Sequence, residues 1–306
     1  MSRECLKLDI HVHTARTRTI PTPGWGKIFG LDHDETYASP EELIQKYDEM
    51  GIEAGVILPG ANPECSHSGQ QRMEDIAEIC EKYKGRFYWF MNIDPRSGPG
   101  NSPDDDLSPY MVYFKKMGAK GIGEVSANLA FNDPKMENLF RHAEKNDLPL
   151  TFHISPFPDR LYGIYDKLGL PLLEGALAKF PRLKFLGHSQ PFWAEISAGI
   201  TEAERNGSPK GRVKPGRVVE LMRKYPNLYG DLSAGSGYNA LSRDEEFALA
   251  FMEEFQDRLF FGTDICLPSE KAPLSGWLDE LEESGKLSRQ VYEKICRANA
   301  EKLLGL

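Results

Sequence analysis

A (β/α)₈ TIM barrel is the fold this sequence predicts, and two observations predict it. Short, nearly continuous apolar runs alternate with amphipathic stretches eight times along the 306 residues, the pattern of a parallel sheet covered by helices. His, Asp or Glu then recurs at the ends of those runs, where a closed barrel of this kind collects its chemistry. No Gly/Ser-rich linker divides the chain, so it reads as α/β and as a single domain over residues 1–306.

The first strand ends in Leu8-Asp9-Ile10-His11-Val12-His13-Thr14. Side chains alternate along a strand, so His11 and His13 share one face with Cα atoms about 6–7 Å apart. That spacing lets two imidazoles lean onto one ion. The long loop from Ala15 to Ser39 lacks a helical period, and loops of this length often act as lids. Trp25, Phe29 and Tyr37 either cover a pocket or pack on one another. Ser39-Pro40-Glu41-Glu42 starts a helix, with a capping hydroxyl, Pro in the first turn and acids at the positive end of the dipole.

From there one unit repeats. Ile52–Leu58 is a strand and Gly69–Tyr83 a helix; Arg86–Ile93 is a strand, with a helix from about Asp105 to Met117. Lys120–Val125 is a strand, Pro134–Asn146 a helix, Leu148–Ile154 a strand and Leu172–Phe180 a helix. Leu183–His188 is a strand, followed by helical pieces at Ala194–Arg205 and Arg217–Lys224. Leu228–Ser233 is a strand and Asp244–Phe255 a helix. Leu259–Asp264 is a strand, and Arg289–Leu304 closes the chain as a helix. No Gly-x-Gly-x-x-Gly follows the first strand and no phosphate-binding Gly-x₄-Gly-Lys appears, which weakens nucleotide-binding rivals.

Composition narrows the function classes. A net charge of −9, without a basic run or an aromatic-interleaved Lys/Arg face, disfavours nucleic acid and anionic membranes as partners. Five scattered cysteines form no knuckle or redox pair. With no signal-like N-terminus and no long apolar run, the expectation is a cytoplasmic protein. The partner it calls for is a small-molecule substrate, and self-assembly into a homo-oligomer is compatible with the sequence.

The strand ends read His11-Val-His13, Asn92-Ile-Asp94, Gly123-Glu124, Phe152-His153, Gly187-His188, Asp231 and Thr263-Asp264. Each residue has a plain alternative. His153 could be a core histidine on a backbone carbonyl, His188 or Asp264 could cap a helix, and Glu124 could pair with a nearby cation. Four of the seven histidines nevertheless fall at strand ends, and this coincidence is the strongest signal in the chain. His142, mid-helix, is expected to face solvent, while His33 and His67 lie on loops.

An Asp-x-His-x-His on the first strand, His153 and His188 on the fifth and sixth, and Gly-Thr-Asp264 on the eighth resemble the amidohydrolase superfamily. The chain is similar to its amidohydrolase-related branch, which contains aminocarboxymuconate-semialdehyde decarboxylase-like enzymes. The resemblance spans essentially the whole sequence and is not specific for substrate. It implies that His11, His13, His153 and Asp264 are metal ligands, and that His188 is a second-metal ligand or a group contacting substrate. Many binuclear members carry a bridging lysine at the end of the fourth strand. Here Lys120 begins that strand and Glu124 ends it, as in branches where a carboxylate holds a second ion.

The expected activity is that of a metal-dependent hydrolase cleaving an amide, lactone or related bond of a small, carboxylated molecule. Its cofactor is a divalent cation, Zn²⁺ first, as one ion or two. Asp264 would take a proton from water and His188 would polarise the carbonyl. Arg16, Arg18, Arg96 and Arg160 are candidates to grip a substrate carboxylate, and Phe157, Phe192 and Trp193 to line an apolar slot. The rivals are a metal-dependent decarboxylase of an unsaturated or aromatic acid and a non-catalytic metal- or ligand-binding barrel.

Overall fold

The computed structural model describes residues 6–15, 24–28, 30–65, 71–159 and 162–306. Its strands are β1 (Lys7–Val12), β2 (Ile52–Ile57), β3 (Phe87–Trp89), β4 (Ile122–Val125), β5 (Leu150–Ser155), β6 (Ile164–Tyr165), β7 (Phe185–His188), β8 (Leu228–Asp231) and β9 (Leu259–Phe260). The strand pairs within the two sheets are all parallel. β1 (KLDIHV) and β5 (LTFHIS) alternate apolar and polar residues yet are buried along their whole length, so the polar side of each faces the protein interior rather than solvent.

Ladder pairing runs β1-β2-β3 in one sheet and β4-β5-β7-β8-β9 in the other, with β6 a short addition beside β5. Backbone hydrogen bonds span both seams between the sheets. At one, Gly123 N donates to Met91 O at 2.8 Å; at the other, Ile10 N donates to Phe261 O at 3.0 Å and Asp264 N to His11 O at 2.7 Å. The eight strands expected from the sequence are thus β1–β5 and β7–β9, arranged as a (β/α)₈ barrel.

A cluster of Leu8, Ile10, Val56, Leu58, Phe90, Leu186 and Phe260 is fully or almost fully buried. β2 and β7 are not ring neighbours, so a cluster that contains both Val56 and Leu186 spans the barrel axis and fills the interior. The larger core lies between strands and helices and carries most of the buried aromatics.

The helix Pro40–Met50 begins as its sequence predicts: Glu42 N donates to Ser39 Oγ and Ser39 N to Glu42 Oε2, a reciprocal capping box. Three expectations need correction. The piece placed at Ala194–Arg205 is two short helices, Gln190–Ala194 and Glu202–Arg205, with irregular chain between them. Helices at Ala234–Ser242 and Pro273–Glu283 were not anticipated. Both carry Gly and Ser in their first turns, which lowers intrinsic helix preference; burial of Leu274, Leu278 and Leu281 along one face of the second outweighs it. Among its described residues, the long loop contains one helical turn, Trp25–Ile28.

Among the described residues no helix is long and apolar enough to cross a membrane.

Candidate metal centre

The end of β1 is fixed by a buried carboxylate. Asp9 accepts hydrogen bonds from His11 N (2.9 Å), Thr263 N (2.9 Å), Thr263 Oγ1 (2.5 Å) and the Tyr47 hydroxyl (2.7 Å). It therefore ties the His-x-His segment to the Gly-Thr-Asp segment beyond β9. Burial pushes Asp9 up to about 6, even though all four donors favour its charged form. Asp264 itself adopts a left-handed backbone, φ 58°, a conformation that Asp tolerates better than most side chains.

Glu124 reaches the same mouth because of the glycine before it. Gly123 has φ 146°, and a Cβ there would lie 2.9 Å from the Thr151 carbonyl oxygen of β5. A side chain at that position would push β4 away from β5. His153 and His188 stand side by side because β5 and β7 pair them in register.

The result is a close group of imidazoles and carboxylates. His11 Nε2 lies 3.1 Å from His13 Nε2. Asp264 Oδ1 is 3.4 Å from His11 Nε2 and 3.1 Å from His13 Nε2, and its Oδ2 is 3.5 Å from His188 Nε2. Glu124 faces both ways. Its Oε2 is 3.9 and 3.8 Å from the Nε2 atoms of His11 and His13, while Oε1 is 2.6 Å from His153 Nδ1 and 3.8 Å from His188 Nε2.

The far sides of the imidazoles decide their protonation. His13 Nδ1 lies 2.7 Å from the Leu58 carbonyl, which can only accept, so Nδ1 carries the proton. His11 Nδ1 lies 2.6 Å from Asp231 Oδ2. Burial alone would raise Asp231, but His11 and His188 hold it below the ordinary range, so it too accepts. In the neutral tautomers this leaves bare lone pairs on both Nε2 atoms, pointing at each other and at the Asp264 carboxylate. Acceptors converging at 3.1–3.4 Å repel unless a positive charge lies among them. The donor set therefore fits a divalent cation. Two trios have ligand atoms close enough to share one: His11, His13 and Asp264; and His11, Glu124 and His188. With Nδ1 engaged by Asp231, His11 offers only Nε2, so the two trios describe one cation position.

In the absence of a cation, protons on the imidazoles answer the same need. Burial works against charge on His188, but the hydrogen bond to Asp264 and the charges of Asp231, Asp264 and Glu124 outweigh it and raise the imidazole to about 9. His13 is raised in the same way, against burial, by Asp264 and Glu124. Burial likewise opposes charge on Glu124 and Asp264. The surrounding imidazoles prevail, His153 foremost at Glu124 and His11 and His13 at Asp264, so both stay ionised well below their ordinary values.

Of the residues singled out from the sequence, His11, His13, Glu124, His188 and Asp264 meet at one point. His153 joins through Glu124, with its Nδ1 taken up by that contact. Arg16, Arg18, Arg160 and His67 lie outside the described residues. Arg96 is committed elsewhere: its guanidinium bonds Glu64 through both terminal nitrogens and also holds Asp94. Asp94 is committed in turn, to Arg96 and to the Asn62 amide. Trp193 and Phe192 do not line a slot. Both are buried in the core, and Trp193 Nε1 donates to the Asp231 carbonyl at 2.8 Å. Phe157 is exposed. His142 does not face solvent but is buried, with Nδ1 2.9 Å from Ser108 Oγ. His33 sits on the surface between Asp32 and Glu35.

Three contributors were not assigned roles from the sequence. Asp231 orients His11. Ser233 Oγ lies 2.9 Å from His188 Nδ1 and does the same for that ring. Tyr162 lays its ring over His153, with centroids 4.3 Å apart. Gly163 makes this possible, because a Cβ there would come within 2.7 Å of Ser155 N. Asp231 was legible as a strand end, but Ser233 and Tyr162 carried no signal.

The amidohydrolase family model matches residues 9–306. No curated protein matches the chain. Among solved structures, the chain is similar to an uncharacterized TIM-barrel protein from Bordetella bronchiseptica (16% identity, TM-score 0.67, 98% of both chains covered). It is also similar to 5-carboxyvanillate decarboxylase from Novosphingobium aromaticivorans, complexed with manganese and 4-hydroxy-3-methoxy-5-nitrobenzoic acid (19% identity, TM-score 0.64, 98% of this chain and 96% of that one). A third is 2,6-dihydroxybenzoate decarboxylase from Rhizobium (18% identity, TM-score 0.58, 98% of both). At these identities the likeness shows the shared fold.

Proposed function

Since the chain belongs to the amidohydrolase family, we propose that its barrel mouth holds one divalent cation and hydrolyses an amide, lactone or related bond of a small molecule. The observation that carries this reading is the pair of Nε2 lone pairs of His11 and His13, 3.1 Å apart with Asp264 beside them. His11, His13 and Asp264 would hold the cation, with Glu124 closing the other side and His188 kept for the substrate. The ligand role that resemblance gives His153 is kept here as a proposal, its Nδ1 lying on Glu124. Mixed imidazole and carboxylate donors suit Zn²⁺ and Mn²⁺ alike.

When bound, a divalent cation supplies a Lewis acid that polarises a carbonyl and makes water acidic near neutral pH. The protein's own groups do the rest. Asp264, ionised and partly open to solvent, accepts the proton of the attacking water and returns it to the leaving group. His188 is held upright by Ser233 and donates to the oxyanion that develops on the substrate. Asp231 keeps His11 in the tautomer that leaves Nε2 bare. Arg16 and Arg160 are proposed to grip a substrate carboxylate remote from the bond that breaks.

Hydrolysis is favoured over decarboxylation by charge. Glu124 and Asp264 together match a divalent cation, and among the described residues the ion pairs of both run to imidazoles only. A further carboxylate at the reacting position would meet these two negative groups, and among the described residues no Arg or Lys pairs with either of them. Decarboxylation is the second reading, supported by the shared fold of decarboxylases, one of them holding manganese.

One experiment separates the readings. The metal-loaded protein is screened against lactones, amides and aromatic acids in water labelled with heavy oxygen, and the label is followed in the organic product. Label in the product supports hydrolysis. CO₂ release without label supports decarboxylation, and no turnover on any class supports a binding protein.

A further inference from the structure

The helix Ser108–Lys116 turns an apolar face to solvent, and we propose that this face packs against the same helix of a second copy of the chain, antiparallel about a two-fold axis. A surface helix normally buries its apolar stripe and turns charge outward. Here Met111 is the buried residue. At 100° per residue Tyr113 projects away from it, with Tyr110 and Met117 on one flank and Val112 on the other. Their exposures are 54%, 41%, 36% and 42%. These are four of the eight large hydrophobic side chains so exposed among the described residues. Single exposed apolar residues are ordinary, whereas a contiguous group marks a contact surface.

The face is also braced. The Tyr113 ring meets Phe114 edge-on at 5.1 Å, and Phe114 meets buried Trp89 at 6.2 Å. The Tyr113 ring therefore loses less freedom on docking than an unsupported side chain would, and Tyr and Met are residue types enriched at such contacts.

Charge identifies the occupant. Asp104-Asp105-Asp106 precede the helix and Lys115-Lys116 close it. Asp105 is engaged with the Gly100 and Ser102 amides, Asp106 accepts from Ser108 N and lies 3.3 Å from His142 Nδ1, and Lys115 Nζ donates to Asn146 O; Asp104 and Lys116 are exposed and face the partner. Two copies crossing antiparallel set each acidic end against the other's basic end, as a self-complementary two-fold contact requires. A net charge of −9 per chain otherwise repels a second copy, so these local opposite charges are what self-association needs.

Light scattering after gel filtration of the full chain tests this. The wild type is expected at twice the 34.5 kDa of one chain. Tyr110→Ser/Tyr113→Glu is expected at the single-chain mass with unchanged circular dichroism. Lys116→Glu should weaken association, and adding Asp104→Lys should restore it. Tyr113→Cys, placed near the axis, should form an inter-chain disulfide on mild oxidation even if the double variant folds poorly. A wild type that stays monomeric at its highest soluble concentration overturns the proposal and leaves the face to another occupant. A dimer that survives the tyrosine changes also overturns it. A dimer indifferent to charge reversal overturns the antiparallel arrangement.

Discussion

His11 and Asp231 are 220 residues apart in sequence, and His11 Nδ1 lies 2.6 Å from Asp231 Oδ2. This contact spans strands that are not ring neighbours, and it fixes the nitrogen that His11 offers to the barrel mouth. Removing it should disturb the site without unfolding the barrel. Asp231→Ala is expected to cut cation affinity or turnover roughly 10–100-fold, the usual effect of losing a group that orients a ligating histidine. Metal titration and steady-state kinetics on one preparation check this. Unchanged affinity and turnover would count against Asp231 as an orienting group.

Arg96 offers a contrast between gripping substrate and holding structure. Its bonds to Glu64 and Asp94 join the segment after β2 to the segment after β3. Arg96→Ala should lower stability by about 1–3 kcal/mol through its charged hydrogen bonds, with KM little changed. Arg16→Ala or Arg160→Ala should do the opposite, raising KM at constant stability. Denaturant curves beside KM values decide the matter, and a raised KM with normal stability in Arg96→Ala would reverse the assignment.

Asp166 provides a pH signature far from the cation position. Burial raises its carboxyl from 3.8 to about 6, against the amides of Leu173, Leu172 and Lys167 and the charge of Arg205. Between those values the folded chain keeps a proton that the unfolded chain has released. Stability from this group is therefore fully present below about 3.8 and lost as pH rises through about 6. Asp166→Asn cannot titrate, so the denaturation midpoint should vary less with pH across that window. An identical slope in variant and wild type would refute the shift.

Much of the site was legible because a polar residue ending an apolar run has few other reasons to be there. His11, His13, Glu124, His188 and Asp264 all carried that mark, and ring closure brings them together. What stayed hidden depends on contacts remote in sequence. Arg96 looked like a substrate clamp until Glu64, 32 residues earlier, took its guanidinium. Trp193 looked like a pocket wall because an aromatic residue after a strand gives no sign of which side of the helix layer it fills. Tyr162 depends on the close passage of Gly163 beneath it, a backbone detail without a compositional trace. The helix Pro273–Glu283 was obscured by its own Pro, Ser and Gly, although its leucines are spaced for burial.

The central claim is that the facing lone pairs of His11 and His13 require a cation. Calorimetric titration of the metal-stripped chain with Zn²⁺ and with Mn²⁺, repeated on His13→Ala, tests it most directly. The account predicts one ion per wild-type chain for at least one metal, and loss of that binding in a His13→Ala chain whose circular dichroism is unchanged. No stoichiometric uptake by the wild type, or equal uptake by the variant, would contradict it.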